Sequence, residues 1–174
     1  MEELYLKFPT IEDKENVLKF KQEFVDYGRD LSNTGGLDQF DTYEEWLKRV
    51  QNDLSEETCE EGRVPSKLYL SYRKTDNKLI GIIKVRPKLN EMLFQNGGHI
   101  GGCVCPSEEN KGYGTQQLAL ALKVCKSLGL DKALITCKKT NLPSARTIVK
   151  NGGVLENEIV VNDKITQRYW VTLK

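Results

Sequence analysis

Between His99 and Cys137 the apolar residues change their period twice, and few folds accommodate that change. His99 to Cys105 is an extended run that stops at Pro106. After it, Leu118, Ala121, Leu122, Cys125 and Leu128 recur at the three- and four-residue steps of one helix face, and Gly129 closes the helix. Ala133 to Cys137 is again a short apolar strand. A strand, a helix over Gly112 to Ser127 and a second strand make a crossover unit. Such a unit predicts two parallel strands joined by a right-handed connection.

The flanking sequence reads differently. Leu4 to Phe8 alternates and ends at Pro9, which predicts a strand; Thr10 with Asp13 forms a capping-box variant that opens a helix from Ile11 to about Tyr27. Gly28 to Phe40 reads as a loop, and Asp41 or Thr42 caps a second helix with its stripe at Tyr43, Trp46, Leu47 and Val50. Lys67 to Arg73 and Leu79 to Arg86 form a hairpin around the turn residues Thr75 to Lys78, so strand pairing here is antiparallel. A helix from Pro143 to Asn151 ends at Gly152-Gly153, and strands at Val154 to Val161 and Thr166 to Leu173 turn at Asn162 to Lys164. The expected fold is α+β: one mixed, mostly antiparallel sheet of about seven strands, with helices on both faces. With no repeat or linker, residues 1–174 are expected to form a single domain.

Composition excludes several functions. Lys and Arg number 26 against 25 Asp and Glu, a balance that argues against a broadly basic nucleic-acid binder. No apolar run approaches the ~18 residues of a membrane span. The opening MEELYLKFPT lacks a basic segment followed by an apolar stretch, which predicts no secretory signal. Five cysteines in no framework spacing then predict free thiols in the cytoplasm. With one His, and only Cys103-Val-Cys105 as a close ligand pair, no metal site is expected.

The turn between the central strand and the long helix carries the chemistry. Asn110-Lys111-Gly112-Tyr113-Gly114-Thr115 places two glycines at i and i+2, where backbone can approach a ligand and the first helical turn offers unpaired N–H groups to a phosphate. A tight strand-to-helix turn accounts for the same glycines. A Walker A loop is absent, and Gln117 breaks the dinucleotide fingerprint. Charge is unevenly divided along the chain. From Glu108 to Lys150 there are eight basic and three acidic residues; from Asp38 to Glu61 there are nine acidic residues against Lys48 and Arg49. These are either solvated faces or a division suited to a polyphosphate ligand and a cationic substrate.

Three separated motifs, Gly102-Cys-Val-Cys-Pro106, Asn110 to Thr115, and Asn141-Leu-Pro-Ser144 followed by Gly152, resemble the GNAT superfamily of acetyl-CoA-dependent N-acetyltransferases. The motif match runs over about residues 97 to 158 and is nearest to bacterial members. The resemblance implies that Cys103 and Val104 offer backbone groups to the pantetheine arm of acetyl-CoA. It implies that Asn110, Lys111, Gly112, Tyr113, Gly114 and Thr115 wrap the pyrophosphate. Asn141, and Ser144 one turn on, would contact the cofactor where two parallel strands splay apart. Two positions depart from the family: Glu109 stands where Gln or Arg is usual, so its carboxylate is expected to point away. Ile148 stands where a Tyr often protonates the departing thiolate, which leaves Tyr113 or another Tyr, or water, for that task.

Acyl transfer to an amine gains from a base. His99, the single His, opens the central strand with a suitable pKa; a partly buried or surface His after the Gly-Gly turn fits its position too. Glu156 and Glu158 are further candidates, or plain strand-face charges. Cys103 and Cys105 flank the expected acyl site, but no base is paired with them. The Gly28 to Phe40 loop would select the acceptor. The expected activity is acetyl transfer to a primary amine of a small molecule or peptide, with a cationic acceptor favoured, by a monomer or homodimer that binds neither nucleic acid nor membrane. A CoA-binding sensor or regulatory module without turnover is the alternative.

Overall fold

The computed structural model describes residues 2–174. Its strands are β1 (Leu4–Lys7), β2 (Lys67–Arg73), β3 (Leu79–Val85), β4 (Ile100–Val104), β5 (Lys132–Lys138), β6 (Val154–Val161) and β7 (Lys164–Thr172). Its helices are α1 (Lys14–Asp26), α2 (Tyr43–Asn52), α3 (Glu91–Gln95), α4 (Tyr113–Ser127) and α5 (Leu142–Lys150). Each start has a local cause. Thr42 and Glu45 form the capping box of α2, and Asn141 Oδ1 accepts from Ser144 N at 3.2 Å to open α5. Only α3 falls where the sequence reads as loop. It is five residues long, too short for periodicity to register, and Asn90 caps it by accepting from Leu93 N at 2.9 Å.

Seven strands form, all of their ladders antiparallel, in two sheets: β1-β2-β3-β4 and β5-β7-β6. The expected parallel pair, β4 with β5, makes no ladder, so the single mixed sheet becomes two. The sheets touch at a Gly98–Ile135 bridge, where His99 N donates to Leu134 O at 2.8 Å. Gly98 has φ +64, and a Cβ there would collide with Leu134 O, so the close approach depends on glycine. Farther along, the head of α4 lies between β4 and α5: a Cβ on Gly114 would stand 3.8 Å from Val104 Cγ2 and 3.7 Å from Thr147 Oγ1.

One face of the first sheet packs on α1 and α2 through Val17, Phe20, Trp46, Leu70 and Ile82. The opposite face, with the second sheet, packs on α4 and α5 through Ile83, Val85, Leu118, Ala121, Ile135 and Ile148. Among the described residues no helix is long and apolar enough to cross a membrane.

Candidate active site

β4 is the edge of its sheet, and its register decides which backbone groups are free. Arg86 N donates to His99 O at 2.7 Å, Cys105 N donates to Ile80 O at 2.8 Å, and Cys103 faces Ile82. Odd-numbered residues therefore bond to β3, while Ile100, Gly102 and Val104 turn their N–H and C=O groups to the open side. The backbone of Val104 therefore faces the open edge, whereas that of Cys103 is spent within the sheet and Gly102 is the neighbouring open position. The Cys103 thiol contacts Asn33 O at 3.9 Å in the 28–42 loop, and burial pushes its pKa up to about 12, unlike an activated nucleophile. The Cys105 thiol is likewise raised to about 12 by burial.

The head of α4 lies at the end of this open edge. Asn110 (φ +60) and Gly112 (φ +87) adopt left-handed backbone that turns the chain sharply into the helix. Gln116 N bonds back to Gly112 O at 3.2 Å, which leaves the N–H groups of Tyr113, Gly114 and Thr115 as the unpartnered amides of a helix N-terminus. The helix dipole adds positive potential there, so the arrangement fits a diphosphate.

Both acidic residues of the turn are neutralised. Glu108, 5% exposed, accepts from Lys78 at 2.8 Å and from Arg73 and Lys111, each at 3.1 Å. Burial works against its carboxylate, but these cations hold its pKa below the usual range. Glu109 turns outward and receives Arg29 at 2.5 and 2.6 Å, which fastens the start of the 28–42 loop to the turn. The carboxylate at the position that departs from the family pattern is thus held by Arg29.

The side chains expected to move protons are engaged elsewhere. Tyr113 packs on Leu4 and Ile80, and its hydroxyl accepts from Arg73 on β2 at 3.2 Å, two strands away from β4. His99 accepts the Leu134 N–H on Nδ1 at 2.8 Å, so its remaining proton sits on Nε2 and the lone pair a base needs is occupied. Burial, then the charge of Arg86, lowers its pKa. His99 clamps the two sheets together. Ile148 is 1% exposed in the core, against Gly153.

Asn141 spends Oδ1 on capping α5, leaving its Nδ2 protons, while the Ser144 hydroxyl lies against the Cys137 thiol. Glu156 receives Arg168 and Trp170, and Glu158 receives Lys139 and Gln167. Among the described residues no group of His, Cys, Asp and Glu could hold a metal ion.

Three further residues shape the site. Gly102 supplies an edge amide, recognisable only once the register with β3 is known. Gln117 is 2% exposed and donates Nε2 to Ile82 O at 2.9 Å, tying α4 to the strands beneath it. Asn151 donates to Thr115 O at 3.1 Å and to Thr147 O at 2.9 Å, joining α5 to the first turn of α4.

Several carboxylates of the acidic stretch have partners within the protein. Glu44 pairs with Lys14 and Glu56 with Lys88, Glu45 caps α2, and Asp53 receives Arg49 and Arg63. These four carboxylates are satisfied within the protein.

The same architecture is found in solved acetyltransferases. A Salmonella typhimurium acetyl transferase that modifies the N-terminal serine of ribosomal protein L7/L12 is 18% identical, with 98% of this chain and 95% of that one aligned at a TM-score of 0.65. A chimera of spermidine N-acetyltransferase from Vibrio cholerae with hSSAT is 13% identical, with 98% and 95% aligned at 0.66. The microcin C7 self-immunity acetyltransferase MccE, solved with acetyl-CoA and AMP, is 16% identical, with 99% and 93% aligned at 0.69. Compared by sequence with curated proteins, the chain matches none. The family model described as an acetyltransferase (GNAT) domain matches residues 3–154. Nearly the whole chain is covered by that match, and the protein belongs to the GNAT acetyltransferase family.

Proposed function

We propose that this protein is an acetyl-CoA-dependent N-acetyltransferase that acts directly on the primary amine of a small molecule or peptide. The observation that carries the reading is the set of free amides at Tyr113, Gly114 and Thr115 beside the open edge of β4. These amides, with Lys111, would hold the diphosphate, and Gly102 and Val104 would pair with the pantetheine arm like an added strand. Asn141 Nδ2 would donate to the same arm from the far side of the cleft.

Acetyl-CoA supplies the activated acyl group: a C–N bond forms, the C–S bond breaks, and the proton lost by the amine balances the departing thiolate. The chain contributes positioning and backbone donors, effects that account for much of acyl-transfer catalysis. With His99, Tyr113 and Ile148 placed as they are, protons pass through water. That same placement favours the second reading, CoA binding without turnover. The solved relative with bound acetyl-CoA supports the cofactor assignment.

Calorimetric titration with CoA, followed by thiol release over an amine panel, tests both. Saturable binding and acceptor-dependent release support the enzyme. Binding without release from any acceptor supports the sensor, and no saturable binding below millimolar CoA removes both.

A further inference from the structure

Four cations gather on the α2 side of the first sheet around one buried carboxylate. Asp53, 4% exposed, accepts from Arg49 Nε at 3.2 and 3.3 Å and from Arg63 Nη2 at 3.4 Å. Lys84 Nζ lies 4.0 Å from Asp53, beyond hydrogen-bond distance, although the residue is only 9% exposed. Arg86, two residues on and past the end of β3, bonds Gly98 O at 3.2 Å and has no carboxylate in ion-pair range among the described residues. Glu60 adds a contact to Arg49 at 3.7 Å, so four cations face two carboxylates; Lys84 keeps only its long pair with Asp53, and Arg86 has none. Buried charges persist in proteins when they are closely paired, and an ammonium held only by a long, shared ion pair is costly. Burial first, and the charge of Arg86 second, lowers the Lys84 pKa to about 8.

The register places this excess charge beside the cleft. Lys84 faces Gly101 across the β3–β4 ladder, on the sheet face opposite α4. Above Gly101 a Cβ would lie 3.0 Å from Asn33 Oδ1 and 3.8 Å from Arg86 Nη1, so the missing side chain lets Asn33 of the 28–42 loop and Arg86 close directly over the strand. At about 3.3 Å per strand residue, the free edge groups of Gly102 and Val104 begin one residue away and end about 10 Å away.

We infer that Lys84 and Arg86, beneath Asn33 and beside Gly101, bind an oxyanion carried by the acceptor, either a carboxylate or a phosphate. The acceptor is then a molecule with its amine and its anionic group within about 10 Å of each other. This assignment rests on the acetyltransferase reading for the word acceptor, while the anion site itself stands apart from it.

The test is a thermal-unfolding titration with acetate, succinate and inorganic phosphate at constant ionic strength. It is run with CoA added to saturation, so that the α4 amides are filled, on wild type, Lys84→Met, Arg86→Met and the exposed control Lys88→Met. The expected result is a saturable rise in unfolding temperature for wild type and Lys88→Met, with a midpoint concentration at least tenfold higher in the other two variants. The anion giving the lower midpoint separates carboxylate from phosphate. A response that does not saturate, or one that Lys84→Met leaves unchanged, overturns the inference. CoA alone is titrated in parallel: if CoA fails to shift unfolding while the anion response persists, the acetyltransferase reading fails and the anion site survives. A second arm compares thiol release with amino acids and their amides. A wild-type kcat/KM preference of at least tenfold for the free acid, lost in Lys84→Met, supports the inference; amides used equally well by wild type, in the presence of a carboxylate-saturable site, exclude the acceptor as its occupant.

Discussion

Replacing Lys84 with Met should stabilise the protein at pH 7, against the general tendency of core substitutions. An unfolded lysine titrates near 10.4, whereas the native Lys84 is lowered to about 8. A gap of roughly 2.5 pH units corresponds to about 3 kcal/mol at 1.36 kcal/mol per unit. The sign follows from the proton balance. Below pH 8 both states are charged and the native state bears the full cost. Between pH 8 and 10.4 the unfolded chain keeps a proton that the native state has lost, so wild-type stability gains with rising pH. Above 10.4 the cost is gone. Met has nearly the same length and no charge, and Asp53 retains Arg49 and Arg63. Urea unfolding of both proteins at pH 7, 9 and 10.5 measures the effect. The expected advantage of the variant is about 2–3 kcal/mol at pH 7 and near zero at pH 10.5. The difference between the proteins is the informative quantity, because Cys103, Cys105 and Cys125, all raised by burial, push stability the other way as pH climbs and cancel between them. A variant no more stable than wild type at pH 7, or an advantage that does not change with pH, refutes the argument.

Two further substitutions separate architecture from ligand contact. Gly114→Ala meets nothing closer than 3.7 Å and sits in the first turn of α4, so stability should hold or rise by about 0.5–1 kcal/mol from helix propensity. The same methyl group fills the gap between Val104 on the open edge and Thr147 on α5, and calorimetry should show CoA binding weakened at least tenfold; unchanged affinity would place the diphosphate elsewhere. His99→Ala orphans the Leu134 N–H and should cost about 1–3 kcal/mol in chemical denaturation. With stability allowed for, thiol release should change less than tenfold, and a larger loss in kcat alone would return His99 to the mechanism.

Much of the fold is legible because local rules and tertiary packing agree. The hairpin of β2 and β3, the α4 stripe and the capping box of α2 lie where alternation, helical spacing and cap chemistry put them. The glycine turn was equally visible, since Gly112 and Gly114 mark it without reference to any other part of the chain. Side-chain roles were less legible. His99 has the pKa of a base and the position of one, but its Nδ1 is spent on an amide 35 residues away. Tyr113 adjoins the turn in sequence and still buries its ring on the far side of α4. In the acidic stretch, Glu44, Asp53 and Glu56 find partners on α1, in the 53–66 segment and after β3, pairings that no local pattern announces.

By itself the sequence determined the order of strands and helices, the crossover, and the amide-rich head of α4, because each depends on neighbours within a few residues. Only the tertiary structure decided that β4 and β5 part into two sheets, that Gly102 rather than Cys103 faces the open edge, and that positive charge is left over beneath the 28–42 loop. Those outcomes depend on register and on which charges meet across long stretches of chain, and local periodicity does not encode either.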